Sequence, residues 1–150
     1  MPIRLLIAAV SVLAAALLFS GKKKVFISYY YDKDRHYKRL LKAWSANKKF
    51  GLEFEDVSTD VSINSQDKNY IKQKIAERID QCDVFLVCVG KESHEREWIS
   101  WEINKAKEYK KKIVAVKANK AFTSPKELLS AGAEWVYGFN EKEIRAAIEN

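Results

Sequence analysis

Six consecutive apolar residues, Val84-Phe85-Leu86-Val87-Cys88-Val89, stand between Asp83 and Gly90. A run of that length, without polar alternation and rich in β-branched side chains, reads as a strand covered on both faces. Such a strand needs helices on each side, which confines the chain to an α/β architecture. The flanking sequence supplies both layers. Lys24 to Tyr29 and Lys112 to Ala118 read as further buried strands, Leu52 to Val57 as a weaker one and Trp135 to Phe139 as the last. Between them, Asp32 to Asn47 carries Tyr37, Leu40, Leu41 and Trp44 at i, i+3, i+4 and i+7, an amphipathic helix with Asp32 or Asp34 near its start. Lys68 to Asp80 places Ile71, Ile75 and Ile79 on one face, and Glu97 to Tyr109 is a third helix. Ser124-Pro125 opens a short helix with Ser as N-cap and Pro at N1, and Glu141 to Glu149 closes the chain. Five strands alternating with five helices predict a flavodoxin-like, five-stranded parallel sheet with helices on both faces.

In such sheets ligands bind beyond the carboxyl ends of the strands. The loop from Tyr29 to Lys33, the polar loop from Ser58 to Asp67 and the start of the third helix all fall on that edge. One acid stands out there. In Glu97-Trp98-Ile99-Ser100-Trp101-Glu102-Ile103, Trp98 and Glu102 are four residues apart and share a helix face, which Ile99, Ile103 and Ala106 continue towards the core. A carboxylate on an apolar stripe is paired, desolvated or at a pocket edge, because an unpaired buried charge costs several kcal/mol. The competing reading is a glutamate that simply reaches solvent at the rim. With Tyr30, Tyr31 and Trp98 available to stack on flat rings, one carboxylate suits cleavage of an N-glycosidic bond, whose transition state carries positive charge.

Other chemistries lack their residues. No Gly-rich phosphate loop follows the first strand, which argues against a dinucleotide fold or a P-loop. A phosphoacceptor receiver needs an Asp at the end of the central strand, where this chain has Val89-Gly90. His36 and His94 have no zinc or triad pattern, and no metal or cofactor is expected. Cys82 and Cys88 are too far apart along a strand to be bridged, and read as reduced thiols. The net charge is +7, from 27 basic and 20 acidic residues. Setting aside Arg4 and Lys22 to Lys24 leaves 23 basic residues against 20 acidic ones, too even a balance to point to nucleic acid.

Leu5 to Gly21 contains no charge. Its 17 residues reach about 25 Å as a helix, near the lower limit for spanning a bilayer. Arg4 flanks one end and Lys22-Lys23-Lys24 the other, which predicts a single-pass anchor over residues 1–23 with the domain, residues 24–150, at the cytoplasmic face of the cell membrane. A signal peptide is the weaker alternative, since Leu18-Phe19-Ser20 is a poor cleavage site.

Phe26-Ile27-Ser28-Tyr29 resembles the first box of TIR domains, and Trp98-x-x-x-Glu102 resembles the helix that bears the TIR catalytic glutamate. The resemblance runs from about Lys24 to the end and is closest to the bacterial TIR-like subfamily that includes the ThsB proteins of Thoeris antiphage defence. It implies NAD+ as substrate, cleavage between nicotinamide and ribose, and release of nicotinamide with ADP-ribose or a cyclised signal that activates a separate effector. It makes Glu102 the catalytic acid, puts Trp98 in the site wall, and places Ser28, Tyr29 and Tyr30 on the loop that meets the nucleotide. The loop Ser58–Asp67 matches the segment through which TIR domains self-associate. One departure is the pair Tyr30-Tyr31, where some NAD-cleaving members carry basic residues. Two other functions compete: a non-catalytic adaptor that self-assembles, and a nucleoside deoxyribosyltransferase-like enzyme that ignores NAD+.

Overall fold

The computed structural model describes residues 22–47, 49–58 and 67–150. Five strands, β1 (Lys23–Ser28), β2 (Phe54–Asp56), β3 (Val84–Val89), β4 (Lys112–Lys117) and β5 (Glu134–Tyr137), form one sheet in the order β2-β1-β3-β4-β5. Every pairing is parallel, with Ser28 opposite Val87 where β1 meets β3. The helices are α1 (Tyr31–Ala46), α2 (Lys68–Gln81), α3 (Glu97–Glu108) and α4 (Glu141–Glu149). The flavodoxin-like expectation therefore holds for the sheet and its covering helices.

The period-two alternation of the strands divides the interior into two layers. Val25, Ile27, Leu86, Cys88, Val114 and Val116 face α1 and α4, meeting Leu41, Ile144, Ala147 and Ile148. Phe26, Phe85, Val87, Ile113 and Ala115 face α2 and α3, meeting Ile79, Ile99, Ile103 and Ala106. Phe26 and Phe85 stack at 5.5 Å between ring centres. All six residues of β3 are buried, as the apolar run requires. Cys82 and Cys88 are buried free thiols, and burial pushes Cys82 up to about 11.

Several local expectations are corrected. Where a short helix was expected after Ser124-Pro125, the chain makes only a 3-10 turn, Lys126–Ser130, entered from Pro125 without a side-chain cap. In α1 the apolar stripe is narrower than the spacing suggests: Leu41 is fully buried while Leu40 is 38% exposed, and Lys38 takes the buried place beside it. Asp32 and Asp34 both stand in the first turn of α1, as expected; Tyr30 holds the cap position without a side-chain capping hydrogen bond, and Asp34 is buried. The expected single-pass placement at the cell membrane is also corrected. Among the described residues no helix is long and apolar enough to cross a membrane, because each lays a charged face to solvent. The apolar helix expected over residues 1–23 falls almost wholly outside the described residues, as does most of the expected loop Ser58–Asp67.

Candidate active site

The order β2-β1-β3 makes the gap between β1 and β3 the point where successive crossovers depart in opposite directions, which opens a crevice at the carboxyl ends of those strands. The residues leaving β1 alternate between the two faces. Ser28 continues the side of Phe26 and turns towards α3; Tyr29 packs with the α1 layer and Tyr30 with the α3 layer. The loop leaving β3 passes through a 3-10 turn, Ser93–Glu95, and enters α3.

Ser28 and Glu102 meet across this gap. Ser28 is 1% exposed, and its Oγ donates to Oε1 of Glu102 at 3.2 Å. Burial pushes the Glu102 carboxyl up to about 8, because the ionised form loses its hydration. The Ser28 hydroxyl and the Lys38 ammonium act in the other direction, since both favour the anion. Glu102 is half-buried, so its carboxyl stands between the interior and the solvent edge. Burial favours its protonated form, an effect that the two neighbours offset in part.

One turn before Glu102 on α3, Trp98 is 42% exposed and lines a cleft of about 580 Å³ with Tyr29, Tyr30, Tyr31, Asp32, Arg96 and Ile99. That volume lies in the range of small-molecule sites. Glu102 is not among the residues lining this cleft; its carboxyl sits one turn further into the fold. Trp98 packs edge-on against Trp101, with ring centres 5.8 Å apart. Arg96 lays its guanidinium 4.3 Å from the centre of the Tyr30 ring, fixing one wall by a cation–π contact. The structure thus brings Ser28 to Glu102 and gathers Tyr29, Tyr30 and Trp98 around the adjoining cleft. His94 pairs with Glu95 at 3.5 Å and is not among the residues lining that cleft.

Two groups of residues were not foreseen from sequence. Lys38, 3% exposed, binds Asp56 Oδ2 at 3.3 Å and donates to the Ser58 carbonyl at 3.3 Å. Its ammonium also lies 5.4 Å from the Tyr29 ring centre. A lysine on a helix gives no sequence sign of burial when its partner comes from a distant strand. The second group is Asp34 with the β3–α3 loop. The Ser93 hydroxyl accepts from the Gly90 amide at 2.8 Å and lies 3.5 Å from Asp34 Oδ2. Burial raises the Asp34 pKa. Glycine is favoured at position 90, since a Cβ would come within 2.2 Å of Asp34 Oδ2 and force that side chain to shift.

The family model of the Thoeris protein ThsB, TIR-like domain, matches residues 26–122. The chain belongs to the ThsB TIR-like domain family. The ThsB match takes in β1 through β4, and with them Ser28, Trp98 and Glu102. No curated protein matches the chain. Among solved structures, the chain is similar to a CMP N-glycosidase, BcmB, from Clostridium botulinum (TM-score 0.55, 20% identity, covering 85% of this chain and 98% of that one). It is similar also to a conserved protein from Enterococcus faecalis V583 (TM-score 0.58, 12% identity, 86% and 98% covered). A third is a 2-deoxyribosyltransferase from Bacillus psychrosaccharolyticus (TM-score 0.55, 12% identity, 81% and 90% covered). At these identities the likeness establishes a shared fold.

Proposed function

We propose that this ThsB-like domain cleaves the N-glycosidic bond between nicotinamide and ribose in NAD+, with Glu102 as the catalytic carboxylate. The observation that carries the reading is the partly buried Glu102 carboxyl, held by Ser28 beside an aromatic cleft. In the reaction the C1′–N bond breaks and its electron pair returns to the pyridinium nitrogen, which becomes neutral. The leaving group needs no proton. What needs stabilising is the positive charge gathering on the ribose, and an ionised Glu102, half-buried and so less screened than a surface carboxylate, supplies that. A water oxygen then bonds to C1′ and releases its proton to solvent, giving ADP-ribose; attack from within the ADP-ribose part gives a cyclised product instead.

An incoming pyridinium ring also favours the ionised carboxylate, so substrate arrival lowers the Glu102 pKa from its empty-site value. Trp98, Tyr29 and Tyr30 offer aromatic faces for flat rings. Two similarly folded proteins, a CMP N-glycosidase and a 2-deoxyribosyltransferase, lend support by the chemistry in their names. In this reading the product is a signal for a separate effector in antiphage defence, and the domain self-associates when active.

A second reading, a non-catalytic adaptor, draws on the exposed Trp98 beside Trp101 and Lys72, a surface suited to another protein. The two separate in one experiment. The purified full-length chain is incubated with NAD+ beside Glu102→Gln, and products are resolved by chromatography and mass spectrometry. Nicotinamide release that falls at least a hundredfold in the variant is expected. No release by a folded, self-associated wild type transfers the assignment to the adaptor.

A further inference from the structure

A second cleft, of about 540 Å³, adjoins the first and shares Tyr29 and Tyr31 with it. Its other lining residues are Arg35, Lys38, Arg39, Lys42, Ala43 and Ala46, all on α1. The charges on the two sides of the tyrosine wall differ. Around the first cleft stand Asp32, Glu95 and Glu97 with one cation, Arg96. The second is lined by four cations and no acid. We propose that the groove along α1 holds the phosphate groups of the nucleotide whose glycosidic bond lies towards Trp98 and Glu102.

The proposal rests on the nucleotide-cleaving reading above and adds to it a specificity site. A row of cations on a helix is ordinarily a solvated face. This row differs in being concave and walled by two aromatic rings. The Arg35 guanidinium lies 5.3 Å from the Tyr31 ring centre and the Lys38 ammonium 5.4 Å from that of Tyr29, so both cations are held against the wall the two clefts share. Lys38 is already committed to Asp56, and Lys42 lies 4.0 Å from the same carboxylate. The phosphate contacts are therefore assigned to Arg35 and Arg39, one turn apart, whose guanidinium forks match phosphate oxygens. A dinucleotide with a cationic ring at one end and a diphosphate in its middle has the charge order of the two clefts. A nucleoside would leave the basic groove empty.

The test uses the full-length chain and the double variant Arg35→Gln/Arg39→Gln, with two substrates, NAD+ and nicotinamide riboside, which lacks the diphosphate. Both arginines are exposed, and unchanged circular dichroism and melting temperature establish that the variant is folded. The expected result is a KM for NAD+ raised at least tenfold, with a much smaller fall in kcat. The ratio of kcat/KM for NAD+ over nicotinamide riboside falls at least tenfold, and Arg39→Lys in the Arg35→Gln background restores part of it. Equal losses for both substrates, or no change in the NAD+ KM, overturn the groove while leaving the glycosidic reading intact. If the wild type cleaves neither substrate, the glycosidic reading fails, and titration with inorganic pyrophosphate decides the groove alone. Resonance shifts on α1 that vanish in the double variant retain it as an anion site; the absence of shifts rejects it.

Discussion

The hydroxyl of Ser28, the last residue of β1, donates to Oε1 of Glu102, in the second turn of α3, at 3.2 Å across 74 positions of sequence. This one contact ties the strand that begins the fold to the helix that carries its candidate catalytic acid. A hydrogen bond to an ionised group contributes about 1.5–3 kcal/mol. The Ser28 bond favours the carboxylate, so its loss moves the Glu102 pKa further up. Ser28→Ala is therefore expected to shift the rising limb of kcat/KM against pH to higher pH by about one unit or more, and to lower kcat/KM at pH 7 about tenfold. The wild-type limb should centre near about 8, the pKa of Glu102 in the empty site. A profile flat from about pH 6 to about pH 9, on both sides of the Glu102 value of about 8, would show that Glu102 ionisation does not govern the reaction.

The same carboxyl leaves a mark on folding. Its pKa rises from 4.5 in an unstructured chain to about 8 in the folded one. Below both values the carboxyl is protonated in each state and contributes nothing to pH dependence. Between them the folded chain keeps a proton that the unfolded chain has released, so stability falls as pH rises through that window and levels off above it. The loss is at most roughly 5 kcal/mol, reduced by the solvent that reaches this half-buried group. Glu102→Gln removes this contribution. Urea unfolding at about pH 5 and about pH 8 should show the wild type losing more stability than the variant between the two. Asp34, also raised, adds a loss of the same sign in both proteins, and the difference between them isolates Glu102.

The sheet was legible because its evidence is local: six apolar residues in β3 and the period of α1 and α3 state their own environments. Glu102 was legible as a candidate for the same reason, its place on the stripe of Ile99 and Ile103 being fixed by helix geometry. The contact with Ser28 followed only in part. Both residues were expected at the same edge, but nothing in either segment shows that the register of β1 against β3 brings them within hydrogen-bonding distance. Lys38 was not legible at all. It occupies the polar side of a helix pattern, and what buries it is Asp56 on β2, ten residues past the end of α1. The basic groove escaped for a related reason. Arg35, Arg39 and Lys42 read as an ordinary solvated face until the tyrosines leaving β1 are seen to wall it.

Lys38 offers a test of that buried pair. Removing one partner of a buried ion pair leaves the other charge uncompensated, which costs about 3–5 kcal/mol. Lys38→Met is expected to destabilise by about 3 kcal/mol, the low end of that range, since Asp56 retains 11% side-chain exposure, hydrogen bonds from the Ser58 amide at 2.9 Å and the Ser58 hydroxyl, and Lys42 at 4.0 Å. The double variant Lys38→Met/Asp56→Leu should recover part of the loss, and thermal unfolding of the three proteins measures it. Lys38→Met also removes a cation that favours ionised Glu102, so its activity limb should move to higher pH, as in Ser28→Ala. An unmoved limb would confine Lys38 to a structural role.

Gly90 directly follows β3 where Asp34 crosses from α1, and the two leave no room for a methyl group unless one shifts. An alanine Cβ would approach the Asp34 oxygens to 2.2 and 2.4 Å, and Asp34 cannot readily retreat because it is 5% exposed and fixed at the first turn of α1. Gly90→Ala should therefore displace the Ser93 hydroxyl, which accepts from the Gly90 amide, and with it the turn that delivers Arg96 and Trp98 to the cleft. The expected cost is about 1–3 kcal/mol from overpacking. Asp34→Ala in the same chain opens the space that the new methyl needs, so the double variant should be more stable than the sum of the two single effects predicts. Strict additivity in denaturant melts would mean that the strand end and α1 do not press on one another, and that the β3–α3 loop is positioned by other contacts.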